Sequence, residues 1–276
     1  MKKVLSVLLT VVLLISMTAC QSPPEEGTTA NTSGQESVLF DILERGTLNV
    51  GILANCVPYS SVDADGEYIG YEVDMARAIA ESLDVELNLI EISSDAKISS
   101  LEEGKIDIAM GNATPTLARR QKVGFSDPYI VSGEVLMVAE DSNITSIEDL
   151  QDGDTVGVVK GSTTDSTITE NYPHLKVTYF ETTADEIMAL KGGQIKAHCD
   201  DLNMLTYEAT VYDGVKVVGD SLVALQYNAL MIPIGDYIWT EYLNLYIWQY
   251  NTSGENAAAY EKWFGEAPRF PLNPEY

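Results

Sequence analysis

The sequence predicts an α/β protein made of two consecutive α/β units. Two observations carry this. From Thr47 onward, short apolar runs of strand length alternate with runs of helical period. The alternation then lapses and starts again after Leu150. Such strand–helix–strand order implies, in each unit, a mostly parallel sheet with helices on both faces.

The elements can be justified in order. Thr47 to Leu53 is a strand. Val62 to Tyr68 is a hairpin turn signalled by Asp65-Gly66. Its acids are too few and too irregular for an EF-hand calcium loop. Val73 to Leu83 is an amphipathic helix, with Val73, Ala76, Ile79, Ala80 and Leu83 on one face. A strand (Glu86 to Ile92), a helix (Asp95 to Glu103) and a strand (Ile106 to Met110) complete the first series.

The second series has strands at Thr155 to Val159, Lys176 to Phe180, Ile195 to Cys199 and Val215 to Val218. Helices at Thr163 to Tyr172, Ala184 to Lys191 and Leu202 to Ala209 lie between them. The segment Ala229 to Ile234 and two helices, Tyr237 to Tyr250 and Asn256 to Phe264, follow. The aromatics of the first of these helices read as packing onto a sheet rather than as a sugar platform.

The N-terminus sets the compartment. Lys2 and Lys3 precede an apolar stretch from Val4 to Met17, and Met17-Thr18-Ala19-Cys20 follows. A charged start, a short apolar run and small residues before a cleavage point form a secretory signal. The run is shorter than the ~20 residues that span a bilayer. Residues 1–19 are therefore expected to be removed, and residues 20–37, which lack large apolar residues, to be a flexible tether. The chain carries 42 acidic against 16 basic residues, a net charge of −26. That argues against nucleic acid or an anionic membrane surface as a partner. Cys56 and Cys199 read as buried or free thiols, with pairing left open.

The most informative segment is IDIAMGNATPTLARRQKVGFSDPY, Ile106 to Tyr129. An apolar strand runs into a turn of small and hydroxylated residues and then a short helix bearing Arg119. This holds a guanidinium fork, matched to a carboxylate, beside exposed backbone groups. Arg120 reads as a solvated helix charge and Thr116 as the helix N-cap. In the second unit, Lys160-Gly161-Ser162-Thr163-Thr164 ends a strand and opens a helix, where outward amides favour an anion. Asp200 and Asp201 end a strand before the helix at Leu202. One of them is expected to face a ligand and the other to cap that helix.

From Phe40 to about Gly265 the chain resembles the polar amino acid group of bacterial extracellular solute-binding proteins, which feed ABC transporters. The motifs that carry the resemblance are ILERGTLNVGI, IGYEVDMARAIA, LEEGKIDIAM, FSDPY, SIEDL, VGVVKGST and AAAYEKWFG, in order and at family spacing. The resemblance implies a two-lobed periplasmic binding protein fold of type II, with a ligand cleft between lobes joined by two crossing strands. It places lobe 1 at residues 38–136 and 229–276, and lobe 2 at residues 137–228.

It also implies roles. Arg119 takes the α-carboxylate, helped by Ser162 and Thr163. Thr114 touches the ligand through its hydroxyl and amide. Asn112, where relatives place Gly or Ser, offers its carbonyl to the ammonium. Asp201 pairs with the ammonium, ahead of Asp200. Two aromatic walls of the side-chain pocket are replaced by Cys56 and Ser94, which favours a smaller or more polar ligand side chain. Cys20 sits where bacterial lipoproteins are lipidated, with Met17 in place of the usual Leu. The expected partners are an amino acid, permease subunits and, through the lipid anchor, the outer face of the cell membrane. No cofactor or metal is expected. The alternatives on this scaffold are a dehydratase or a ligand sensor. His174 and His198 are the only histidines, and no catalytic motif surrounds either.

Overall fold

The computed structural model describes residues 37–272. The expected signal segment, the expected lipidation site Cys20 and all of the expected tether but Ser37 lie outside the described residues. The chain begins with α1 (Val38–Arg45) and β1 (Thr47–Ile52), then a small sheet of β2 (Asn55–Cys56), β3 (Ser60–Val62) and β4 (Tyr68–Ile69). The predicted hairpin joins β3 to β4, and Asp63 closes it by accepting from the amides of Asp65 and Glu67, each at 2.9 Å. Next come α2 (Tyr71–Ser82), β5 (Glu86–Glu91), α3 (Lys97–Glu102), β6 (Ile108–Ala109) and α4 (Leu117–Arg120). Two apolar strands follow, β7 (Gly124–Ser132) and β8 (Glu134–Ala139).

The second series is β9 (Thr155–Val159), α5 (Thr163–Asn171), β10 (Lys176–Phe180), α6 (Thr183–Lys191), β11 (Ala197–Asp201), α7 (Leu202–Val211) and β12 (Val215–Val218). The chain then returns through β13 (Gln226–Ile232) to α8 (Tyr237–Thr252) and α9 (Glu255–Phe264).

Two five-stranded sheets result, with orders β5-β1-β6-β13-β7 and β10-β9-β11-β8-β12. In each, the first three strands are parallel and the last two pair antiparallel. The expectation of mostly parallel sheets holds by strand direction, since in each sheet four strands run one way and the fourth in order, β13 or β8, runs against them. Between β7 and β8 the chain leaves the first sheet for the second, and after β12 it returns in β13. In each sheet the single antiparallel strand is the first one entered after a crossing, β8 in the second sheet and β13 in the first. The predicted lobe limits, 136/137 and 228/229, fall inside β8 and β13.

Apolar clusters cover both faces of each sheet, as predicted. In the first, α1, α2, α8 and α9 bury one face around Tyr71, Trp239, Tyr260 and Phe264, and Leu101, Val123 and Phe125 cover the other. In the second, Ile147 and Ile168 lie on one face, and Ile187 and Leu205 on the other. The aromatics of α8 serve this packing in part: Trp239 and Tyr250 are buried, but Tyr237 and Trp248 face solvent. Cys56 and Cys199 are buried free thiols.

Candidate functional site

Loops that follow β1, β6 and β9, with the end of β11, converge on a cavity of about 390 Å³ between the two sheets. Ligands of open α/β sheets collect outside the carboxyl ends of strands. Every residue expected to face a ligand lines this cavity: Cys56, Ser94, Asn112, Thr114, Arg119, Ser162, Thr163 and Asp201.

Arg119 is placed by a local device. Thr116 caps α4, its hydroxyl accepting from the Arg119 amide at 3.1 Å, as the sequence predicts. The Arg119 guanidinium donates to the Thr114 carbonyl at 2.9 Å and, across the cleft, to the Gly161 carbonyl at 3.1 Å. A guanidinium has five N–H donors, so most of the fork stays open to the cavity. Burial lowers its pKa and the Glu134 carboxylate opposes the fall, so it remains a cation. Arg120 turns away over the Phe125 ring, 5.5 Å from its centroid.

The loop before α4 is held from behind. The buried Glu72 carboxylate accepts from the amides of Gly111 and Asn112, each at 2.7 Å, and from the Tyr129 hydroxyl. Asn112 adopts φ 54°, a left-handed conformation that asparagine tolerates better than most residues. Its side-chain oxygen accepts from Asn228. Thr114 donates to the Gln226 side chain at 3.0 Å, and Gln226 donates to Glu134 at 2.6 Å. This chain of polar groups links the loop before α4 to the first residues of β13 and β8, Gln226 and Glu134.

On the second lobe, Ser162 caps α5. Its hydroxyl accepts from the Asp165 amide at 3.1 Å and donates to the Val159 carbonyl at 2.7 Å. The α5 N-terminus, with its orphan first-turn amides, opens beside Thr163 and Thr164. Gly161 has φ +76°, and an added Cβ would sit 3.0 Å from the Asp95 Cβ of the other lobe, so glycine allows the close approach. Lys160 reaches Asp95 at 3.5 Å.

The two acids behave differently from expectation. The predicted strand Ile195 to Cys199 is in fact shifted to Ala197–Asp201, so both acids are strand residues. Asp201 caps α7, accepting from the Met204 amide at 2.9 Å, and it also lines the cavity. The expected division of labour, one acid capping and the other facing the cavity, is therefore corrected: Asp201 does both, because a carboxylate has acceptor sites to spare. The fully buried Tyr59 donates to it at 3.0 Å across the cleft. Burial raises the Asp201 pKa, while donors from Ser132, Met204, Asn112 and Tyr59 hold the rise back. Asp200 also lines the cavity, and burial raises its pKa to about 7.

Cys56 packs its sulfur 3.9 Å from that of Met204, and Ser94 opens a short 3₁₀ turn before α3. Lys97 lines the same cavity, and the sequence reading passed over it as one residue of the helix Asp95 to Glu103. It is 6 % exposed, and its ammonium donates to the Gly111 carbonyl. Burial, with Arg119 nearby, lowers its pKa to about 8. Gln226 and Glu134 were likewise missed. No local pattern marks them, because each acts through a partner far along the chain.

Two α/β lobes with a polar cavity between them define the type II binding-protein fold. The chain belongs to the bacterial extracellular solute-binding proteins, family 3, whose pattern it matches over residues 48–266. It is 33% identical over 210 residues to the glutamine-binding protein of Geobacillus stearothermophilus, covering 71% of this chain and 80% of the relative. It is 28% identical over 273 residues to the ABC transporter glutamine-binding protein GlnH of Bacillus subtilis, covering 97% and 99%. Among solved structures, the ancestral amino acid-binding protein AncCDT-1, a precursor of cyclohexadienyl dehydratase, superposes with a TM-score of 0.79 at 34% identity, covering 83% of this chain and all of that one. These relatives are named as binding proteins.

Proposed function

We propose that this protein captures an α-amino acid in the cleft and hands it to the permease of an ABC transporter, anchored outside the cytoplasm by lipid on Cys20. The observation that supports this best is the placement of Arg119 and Asp201 on opposite walls of one cavity. A zwitterion bound there bridges the lobes and stabilises closure, with no chemistry required. In this reading lobe 1 comprises residues 38–136 and 229–276, and lobe 2 residues 137–228.

The α-carboxylate meets the open donors of Arg119 and the amides at the start of α5, where Ser162 and Thr163 lie. The ammonium meets Asp201 and the Asn112 carbonyl, with Thr114 beneath. The side chain then points toward Cys56, Ser94 and Lys97. A buried ammonium with three donors rewards a carboxylate or amide oxygen more than an alkyl group. The ligand class is thus an amino acid whose short side chain ends in an acceptor. The names of the glutamine-binding relatives are consistent with an amide acceptor.

Calorimetry against the twenty amino acids tests this. Wild type is expected to bind a small subset with side-chain acceptors, and Arg119→Ala is expected to bind them about 100-fold or more weakly while melting within a few degrees of wild type. Tight binding of the same subset by Arg119→Ala would sink the reading.

A further inference from the structure

Behind the second sheet lies a group of side chains that amino acid capture does not use. Glu186 on α6, His198 on β11 and Asp200 at the end of β11 bring one donor atom each to within 4.8 Å of one another. His198 and Asp200 are two residues apart on one strand, and Glu186 comes from the helix α6.

The details separate this group from an ordinary acidic cluster. Glu186 and His198 are both 0 % exposed. Among the described residues, neither carboxylate oxygen of Glu186 and neither ring nitrogen of His198 has an aligned hydrogen-bond partner. The Gly157 backbone lies near the ring, outside aligned geometry. The Glu186 Oε2 to His198 Nδ1 separation is 3.3 Å. Buried polar atoms left without partners cost several kcal/mol each, and a charge costs more. A fold keeps such a set where something else satisfies it.

A divalent cation would do so. Two donors on a tetrahedral zinc, each about 2.0–2.1 Å from the metal, lie roughly 3.3 Å apart. A neutral imidazole with two carboxylates is a donor set that zinc accepts. Asp200 also borders the cleft cavity, which gives an ion a route in. Glu208 lies close by, buried, with Oε2 lacking an aligned partner, and can support the ligands from behind.

We propose that Glu186, His198 and Asp200 form a buried binding site for a divalent transition-metal ion of zinc-like chemistry. The site fastens α6 to β11 directly behind the cleft wall. It is independent of amino acid capture by Arg119 and Asp201, since Glu186 and His198 do not line the cleft cavity.

The test uses the full chain stripped with EDTA and then supplied with zinc chloride. Elemental analysis after dialysis is expected to give one zinc per chain. The melting temperature is expected to rise by about 5–10 °C at a hundredfold excess over Kd. Glu186→Gln and His198→Gln are each expected to weaken zinc binding at least about 100-fold, since even outer partners of a metal site carry 10–100-fold. If Glu186→Gln does not fold, Asp200→Asn serves in its place. Zinc held equally by the variants would place it elsewhere on the chain and overturn the proposal. So would the lack of stoichiometric zinc in wild type, a result in which stripped Glu186→Gln should outlast stripped wild type on heating. Amino acid calorimetry on the same stripped protein separates a failure here from a failure of the functional reading.

Discussion

Behind the first sheet, Tyr59, Tyr71, Tyr129, Tyr260 and Phe264 fill the core, and Glu72 is buried among them. Its carboxylate is met by two backbone amides and a tyrosine hydroxyl. Behind the second sheet, Glu186 is buried beside His198 with neither oxygen met by an aligned donor, and Glu208 is buried with its Oε2 unmet. The pair shows that burial of a carboxylate has two meanings. Where donors converge on it, the acid is a structural strut; Glu72 fixes the loop that presents Asn112, Thr114 and Arg119. Where donors are missing, the acid is an affinity waiting for a cation. The same contrast recurs within the cleft, where Lys97 is the buried cation that has gained only a carbonyl.

Substitutions can break or sharpen this comparison. The largest effect is expected at Arg119. Each hydrogen bond to a charged group contributes about 1.5–3 kcal/mol, so losing a bidentate carboxylate grip in Arg119→Ala should weaken binding about 100-fold or more, read by calorimetry. Next comes the strut. Glu72→Gln turns an amide donor toward Gly111 or Asn112 and should destabilise the fold by about 2–3 kcal/mol in urea denaturation. The corresponding change behind the second sheet, Glu208→Gln in metal-stripped protein, should be neutral or stabilising. Equal losses at both positions would erase the distinction between a satisfied and an unsatisfied buried acid.

Lys97 gives a pH-dependent prediction of intermediate size. Its folded pKa, about 8, lies below the unfolded value of 10.5. Between these values the unfolded chain holds more protons, so wild type should gain stability as pH rises from about 8 to 10.5. Lys97→Met should remove that gain and be more stable at pH 7 by about 1–3 kcal/mol in the absence of ligand. It should also lose preference for acceptor-bearing side chains. A pH–stability profile identical to wild type would show that Lys97 is not the buried cation described. The smallest effect is expected from Ser94→Phe, which restores one aromatic wall at a half-buried rim position. It should shift the amino acid panel toward apolar ligands by less than about tenfold, within the 1–3 kcal/mol range of modest steric change.

Much of the fold was legible because helix and strand periods are strong where one face is buried. The runs Thr155–Val159, Lys176–Phe180 and Val215–Val218 have the predicted bounds. The strands β7 and β8 escaped because they are buried on both faces and show no alternation. β11 was misplaced because its last residues are acids, which read as a loop until burial is known. The site was legible where a motif is local, as with Thr116, Arg119 and Ser162. It was illegible where function depends on distant partners: Tyr59 meets Asp201 and Gln226 links Thr114 to Glu134. Glu186 and His198 belong to the same class, since only the packing of α6 on β11 joins them.

A crystal structure of wild type with its tightest-binding amino acid tests the central claim most directly. The account predicts a carboxylate on Arg119 and the N-terminus of α5, an ammonium on Asp201, and a side-chain acceptor within hydrogen-bond distance of the Lys97 ammonium. A ligand bound outside this cavity, or one whose carboxylate and ammonium avoid both Arg119 and Asp201, would contradict it.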